Sequence, residues 1–176
     1  MPFDHLLDRS PMKAVATTTR GGLKPGQVGA CFAHSGIGKT AFIVQLAMYQ
    51  LLRGTKVLHI SRGDAPAHVR AYYDELFSAL TSGTRREDKN EAAVAIERHR
   101  VIHSSLDRVF GPKELRKLVQ TLEEVMDFRP STVVIDGLES DLMESNIGEW
   151  RELASSLKVR LWLTVRTHRD SDDDIQ

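Results

Sequence analysis

Ala33-His34-Ser35-Gly36-Ile37-Gly38-Lys39-Thr40 lies between an apolar run, Gln27 to Phe32, and a helical pattern from Ala41 to Arg53. The order is strand, loop, helix. The stretch fits the phosphate-loop pattern G-x-x-x-x-G-K-[ST] at every fixed position except the first, where Ala33 replaces glycine. Gly36 and Gly38 let the backbone turn its N–H groups towards an anion and keep side chains clear of it. Lys39 brings a point charge for outer phosphates, Thr40 a hydroxyl ligand for Mg2+, and the helix N-terminus its partial positive charge. The backbone of Ser35, Gly36, Ile37, Gly38 and Ala41 completes the expected cradle.

Outward from this loop, strand and helix patterns alternate. Ile43, Leu46, Ala47 and Leu51 mark an apolar helix face, with Gln45, Tyr49 and Arg53 opposite, and Gly54 ends the helix. Lys56 to Ser61 reads as a second strand, followed by the loop Arg62-Gly63-Asp64-Ala65 and by Pro66 at a first helical position. Val69, Tyr72, Tyr73, Leu76, Phe77 and Leu80 repeat at helical spacing, which favours core positions over a base-stacking platform. Residues 81–99 are strongly charged and read as a solvated loop with a marginal helix. Arg100 to Ser104 is a third strand, and Gly111-Pro112 opens a helix with Leu115, Leu118, Val119, Leu122, Val125 and Met126 on one side. Thr132 to Asp136 is a fourth strand, Asn146 and Glu149 form a capping pair before a further helix, and Arg160 to Val165 is a fifth strand. This alternation predicts one α/β domain: a mostly parallel five-stranded sheet with helices on both faces. Residues 1–20 are expected as an N-terminal arm, 21–169 as the nucleotide-binding domain and 170–176 as a solvated, disordered acidic tail.

Composition removes several alternatives. The 176 residues carry 24 basic and 24 acidic side chains, so no global field attracts nucleic acid or an anionic membrane. The single cysteine, Cys31, sits in a strand expected to be buried, as a small core residue. The first ten residues lack the features of a signal peptide, and no apolar run is long enough to span a membrane, so a cytoplasmic protein is expected.

In parallel sheets ligands sit at the C-terminal strand ends. Asp136 ends the fourth strand after Val133, Val134 and Ile135, the Walker B arrangement of a carboxylate that orients magnesium. Together with Gly21-Gly-Leu-Lys-Pro-Gly26 before the first strand and Leu161 to Val165 at the close, these motifs resemble the RecA-like ATPase core, which includes RecA recombinases, replicative hexameric helicases and KaiC-type proteins. The resemblance covers roughly Gly21 to Arg169. It implies RecA-like topology, ATP and Mg2+ as cofactors, an ATPase activity, and phosphate and metal roles for Lys39, Thr40 and Asp136.

Two positions depart from the family. The glutamate that activates water after the second strand is missing: Gly63 takes its place and leaves Asp64 one position later, with Glu139 as a weaker substitute. After the fifth strand, where a polar sensor is usual, Arg166 and Arg169 are candidates for a phosphate contact or an arginine finger, against a basic strand end balanced by the acidic tail. Larger family members continue with strands that flank the phosphate-loop strand. By resemblance that strand would form an edge here, to be covered by the N-terminal arm or by a second subunit. Nucleic-acid binding follows only from the family and gains nothing from charge. The expectation is an assembling or partner-coupled ATPase. The alternatives are a nucleotide-holding regulatory module and, more weakly, a small-molecule kinase.

Overall fold

The computed structural model describes residues 3–19, 21–34, 36–105, 110–140, 143 and 146–166. Among these residues are the strands β1 (Val28–Ala33), β2 (Val57–Ser61), β3 (Arg100–Ser104), β4 (Thr132–Glu139) and β5 (Arg160–Arg166). They form one sheet in the order β1-β5-β4-β2-β3, and every pairing is parallel. Parallel neighbours need crossovers, and the chain supplies them as helices. These are α3 (Lys39–Leu52), α4 (Pro66–Leu80), α5 (Arg86–His99), α6 (Pro112–Met126) and α7 (Ile147–Leu157), preceded by α1 (Asp4–Arg9) and α2 (Met12–Thr18).

The strands are apolar on both sides because both sides are covered. Val57 and Val134 point into a cluster with α1 to α5, whereas Leu58, Ile60, Val133 and Ile135 point into the other with α6 and α7. The turn before β1 closes through Gln27 N–H to the Lys24 carbonyl at 3.1 Å, with Gly26 at φ +86°, the left-handed geometry that the third residue of a type II turn requires.

Several elements differ from the sequence expectation. α3 has no polar face: Val44, Met48 and Leu52 are buried as well, because Leu6, Leu7 and Met12 of α1 and α2 join its cluster. The N-terminal residues therefore pack on α3 as helices and do not pair with β1. Among the described residues β1 pairs only with β5, its outer edge is open, and Phe32 is 49% exposed. Cys31 on this edge is half-buried, not a core residue. The charged segment forms a full helix, α5, whose Ala92 and Ile96 are buried. Glu87 and Asp88 in its first turn and Arg98 and His99 in its last complement the helix dipole. Val125 and Met126, expected on the apolar side of α6, are 75% and 60% exposed. The chain reverses at Asp127 (φ +50°) and buries Phe128 instead. Asn146 precedes α7 but makes no side-chain capping hydrogen bond.

Candidate functional site

The C-terminal ends of β1, β2, β4 and β5 surround a cavity of about 440 Å³. It is lined by Gly36, Gly38, Lys39, Thr40 and Ala41 from the phosphate loop and α3, by Ser61 to Asp64 after β2, by Asp136 and Gly137 of β4, by Arg166 of β5 and by Tyr72 of α4. Sequence-predicted residues from four separate segments thus meet in one place. Ser35 and Arg169 lie outside the described residues, as does the acidic tail, and Ile37 sits at the loop tip, 66% exposed. Glu139 ends β4 beside Arg166 in register but does not line the cavity.

The loop wall is built by backbone geometry. Gly36 and Gly38 have φ of +85° and +88°, and a Cβ on either would face open space, so conformation and not crowding selects glycine there. Gly38 immediately precedes α3, whose first N–H groups lack intrahelical partners and face the cavity end of the helix. Lys39 Nζ donates to the His34 carbonyl at 2.5 Å, spanning the loop.

Asp136 is aimed by a bulge. β4 pairs Ile135 with Leu163 and Leu138 with Val165, so Asp136 and Gly137 together oppose Thr164. Bulges of this kind re-aim a side chain at a strand end. Gly137 takes φ +91° and donates its N–H to Thr164 Oγ1 at 2.9 Å. Thr164 in turn donates its hydroxyl to Asp136 Oδ1, and Thr40 donates to Asp136 Oδ2 at 2.6 Å. The carboxylate is thereby fixed between the α3 N-terminus and β5. Thr164 was not singled out by the sequence reading, although a polar residue within Leu161 to Val165 is the signal that marks it.

The opposite wall is the loop after β2. Arg62 N–H donates to the Asp136 carbonyl at 2.9 Å, Asp64 N–H to Ser61 Oγ at 3.0 Å, and Ser104 Oγ to the Asp64 carbonyl at 2.9 Å. The Asp64 carboxylate is paired with His68 Nδ1 at 3.0 Å, one turn into α4. The Arg166 guanidinium extends across β4: its Nη2 lies 3.4 Å from where a Cβ would stand on both Gly63 and Gly137. Tyr72, expected in the core, stands half-buried between this cavity and an adjoining groove of about 400 Å³ along α3 and α4, whereas Tyr73 is fully buried.

Beneath this wall His59 is fully buried, its Nδ1 2.9 Å from the Tyr73 hydroxyl. Burial pushes its imidazole down to about 4, helped by the Arg100 charge and opposed by Asp136 and Asp64. The ring is therefore neutral at neutral pH. Burial also pushes the Tyr73 hydroxyl up. Arg100 lies over the Tyr73 ring at 4.6 Å and shares Glu97 with Arg70.

No protein-family model and no curated protein sequence matches this chain. Among solved structures 288 chains match, so the fold is widely shared and does not by itself name an activity. One of them is the ATPase domain of a replicative helicase, with a TM-score of 0.66 and 16% sequence identity over 91% of this chain. The present chain spans 63% of that chain's length. Strand order, phosphate loop and bulge-aimed Asp136, together with that likeness, give this chain a RecA-like P-loop core.

Proposed function

We propose that the chain binds ATP with Mg2+ and acts as a Mg2+-dependent ATPase that couples nucleotide state to assembly or to a partner. The observation that supports this most is the 2.6 Å hydrogen bond from Thr40 to Asp136, which joins the phosphate loop to the Walker B strand across the cavity floor. Mg2+ takes hard oxygen ligands and is usually held by one or two protein groups together with phosphates and water. The Thr40 hydroxyl and the Asp136 carboxylate are such a donor pair, so the residues fit the ion. When bound, the ion supplies charge neutralisation to the phosphates. Lys39 supplies a further cation, and a phosphate oxygen would replace the His34 carbonyl as its acceptor. Adenine is taken from the RecA-like resemblance.

A second reading, a nucleotide-holding module with little or no hydrolysis, is favoured by Gly63 at the glutamate position and by the Asp64 carboxylate being engaged with His68. A phosphoryl-transferring kinase is the weaker third reading, since Arg85 of the predicted Arg85-Arg86 pair is bound to Asp88 at the start of α5. The open β1 edge supports a homo-oligomer or a protein partner laid against it. No helix among the described residues is long and apolar enough to cross a membrane, and a cytoplasmic location is part of this proposal.

The test is Mg2+-dependent ATP turnover at several protein concentrations, with Lys39→Ala and Asp64→Ala alongside. Turnover that rises per subunit with concentration and disappears in both variants supports the assembling ATPase. Tight nucleotide binding that only Lys39→Ala abolishes, with no turnover in any sample, selects the holding module instead.

A further inference from the structure

Resting on that nucleotide reading and deepening it, we propose that Arg166 reads the terminal phosphate from within the same chain, so that the site prefers a nucleoside triphosphate to a diphosphate. Three observations carry this. The first concerns Gly63. Unlike Gly36 and Gly38, it is not in the left-handed region, so its conformation is open to any residue. The one heavy atom a Cβ at this position would meet is Nη2 of Arg166, at 3.4 Å. The missing side chain leaves room for the guanidinium, in the place where the resemblance expects a glutamate. Gly137, on the neighbouring strand, forms the second half of the same seat at 3.4 Å.

The second observation is charge. Arg166 makes no ion pair with any carboxylate among the described residues. The two carboxylates among them that line the cavity are occupied, Asp136 by Thr40 and Thr164 and Asp64 by His68. A guanidinium held in this way at a cavity wall is set for a planar, two-pronged contact with an oxyanion, for which phosphate is well suited.

The third is position. β5 lies between β1 and β4, and the Arg166 side chain crosses β4 towards the loop after β2, away from the phosphate loop. Phosphates cradled at the α3 N-terminus therefore run from Lys39 past Asp136 to Arg166. The guanidinium meets the phosphate farthest from the loop, which a diphosphate lacks.

The experiment is equilibrium titration of the full chain with Mg2+-ADP and with a non-hydrolysable Mg2+-ATP analogue, on wild type, Arg166→Ala, Arg166→Lys, Gly63→Glu and Lys39→Ala, each checked for folding by circular dichroism. Wild type should bind the triphosphate more tightly. Arg166→Ala should lose roughly 10- to 100-fold in triphosphate affinity, the range for a hydrogen bond to a charged group, with ADP affinity unchanged. Arg166→Lys should recover part of the preference. Gly63→Glu, whose carboxylate would pair with the guanidinium, should lose the preference while folding normally. Equal weakening of both nucleotides by Arg166→Ala, or no change in their ratio, overturns the phosphate-reading role and leaves the nucleotide site standing if Lys39→Ala still abolishes binding. Failure of wild type to bind either nucleotide overturns both readings.

Discussion

The two walls of the cavity are built on different principles. On the phosphate-loop side, glycine backbone, helix N-terminus, Lys39, Thr40 and Asp136 form one hydrogen-bonded unit, tied together by Thr164 from β5. On the side of the loop after β2, the backbone is equally pinned, but the groups facing the cavity are a glycine, an aspartate turned to His68, and an arginine from another strand. The first wall holds an anion and its cation. The second lacks the positioned carboxylate that would make water attack it, and presents positive charge there instead. Binding and turnover are thus separable in this chain, residue by residue.

The strongest way to break the first wall is Lys39→Ala. Among the described residues it removes the only ammonium lining the cavity and should lower nucleotide affinity roughly 100-fold or more, measured by titration with Mg2+-ATP analogue. Retained affinity would mean that phosphates do not lie on this wall.

Next in size is a pH effect beneath the second wall. His59 falls from an ordinary 6.5 to about 4 in the folded chain, mainly through burial. The unfolded chain then takes up this proton more readily than the native one, so the stabilising contribution is complete above about pH 6.5 and is lost as pH falls through about 4. The difference is worth about 3 kcal/mol. Urea unfolding of wild type and His59→Asn between pH 7 and about 4 should show a steeper loss in wild type; parallel curves would show that the ring is solvated.

Much of the first wall was legible in sequence because it is local. The phosphate loop is a fixed spacing flanked by a strand and a helix, and Asp136 closes a run of three β-branched residues. The second wall was legible only as a departure. Gly63 and Asp64 were recognised as misplaced, yet what fills the gap depends on the register of β5 against β4, which no local pattern encodes. Thr164 escaped for the same reason: its role exists only because Asp136 and Gly137 bulge opposite it. The alternation of strand and helix gave the fold, and the helices that were misjudged, α3 and α5, are those whose burial depends on α1, α2 and the packing of their neighbours. Val125 and Met126 fit the apolar period of α6, but the period cannot say where the core beneath it ends.

Thr164→Val tests the joint between the walls. It keeps the shape but leaves the buried Gly137 N–H without its acceptor and Asp136 without one donor. The expected cost is about 1–3 kcal/mol of stability, read by urea unfolding, together with weaker Mg2+ dependence of nucleotide binding. A variant as stable as wild type would show that water replaces the hydroxyl and that the bulge, not Thr164, aims the carboxylate.

The smallest effect on affinity belongs to Asp64→Ala, and that is its value. The Asp64 to His68 pair is half-exposed and within one helical turn, so its loss should cost only about 0.3–0.5 kcal/mol of stability. Nucleotide affinity should stay within about threefold of wild type, because the phosphates are held by the opposite wall. Apart from Asp136, already bonded to Thr40 and Thr164, Asp64 is the one carboxylate among the described residues that lines the cavity. Any turnover the wild type shows should therefore vanish in this variant. Turnover that survives while affinity is unchanged would move the water-positioning role away from the loop after β2, and the contrast between the two walls would then lie in charge alone.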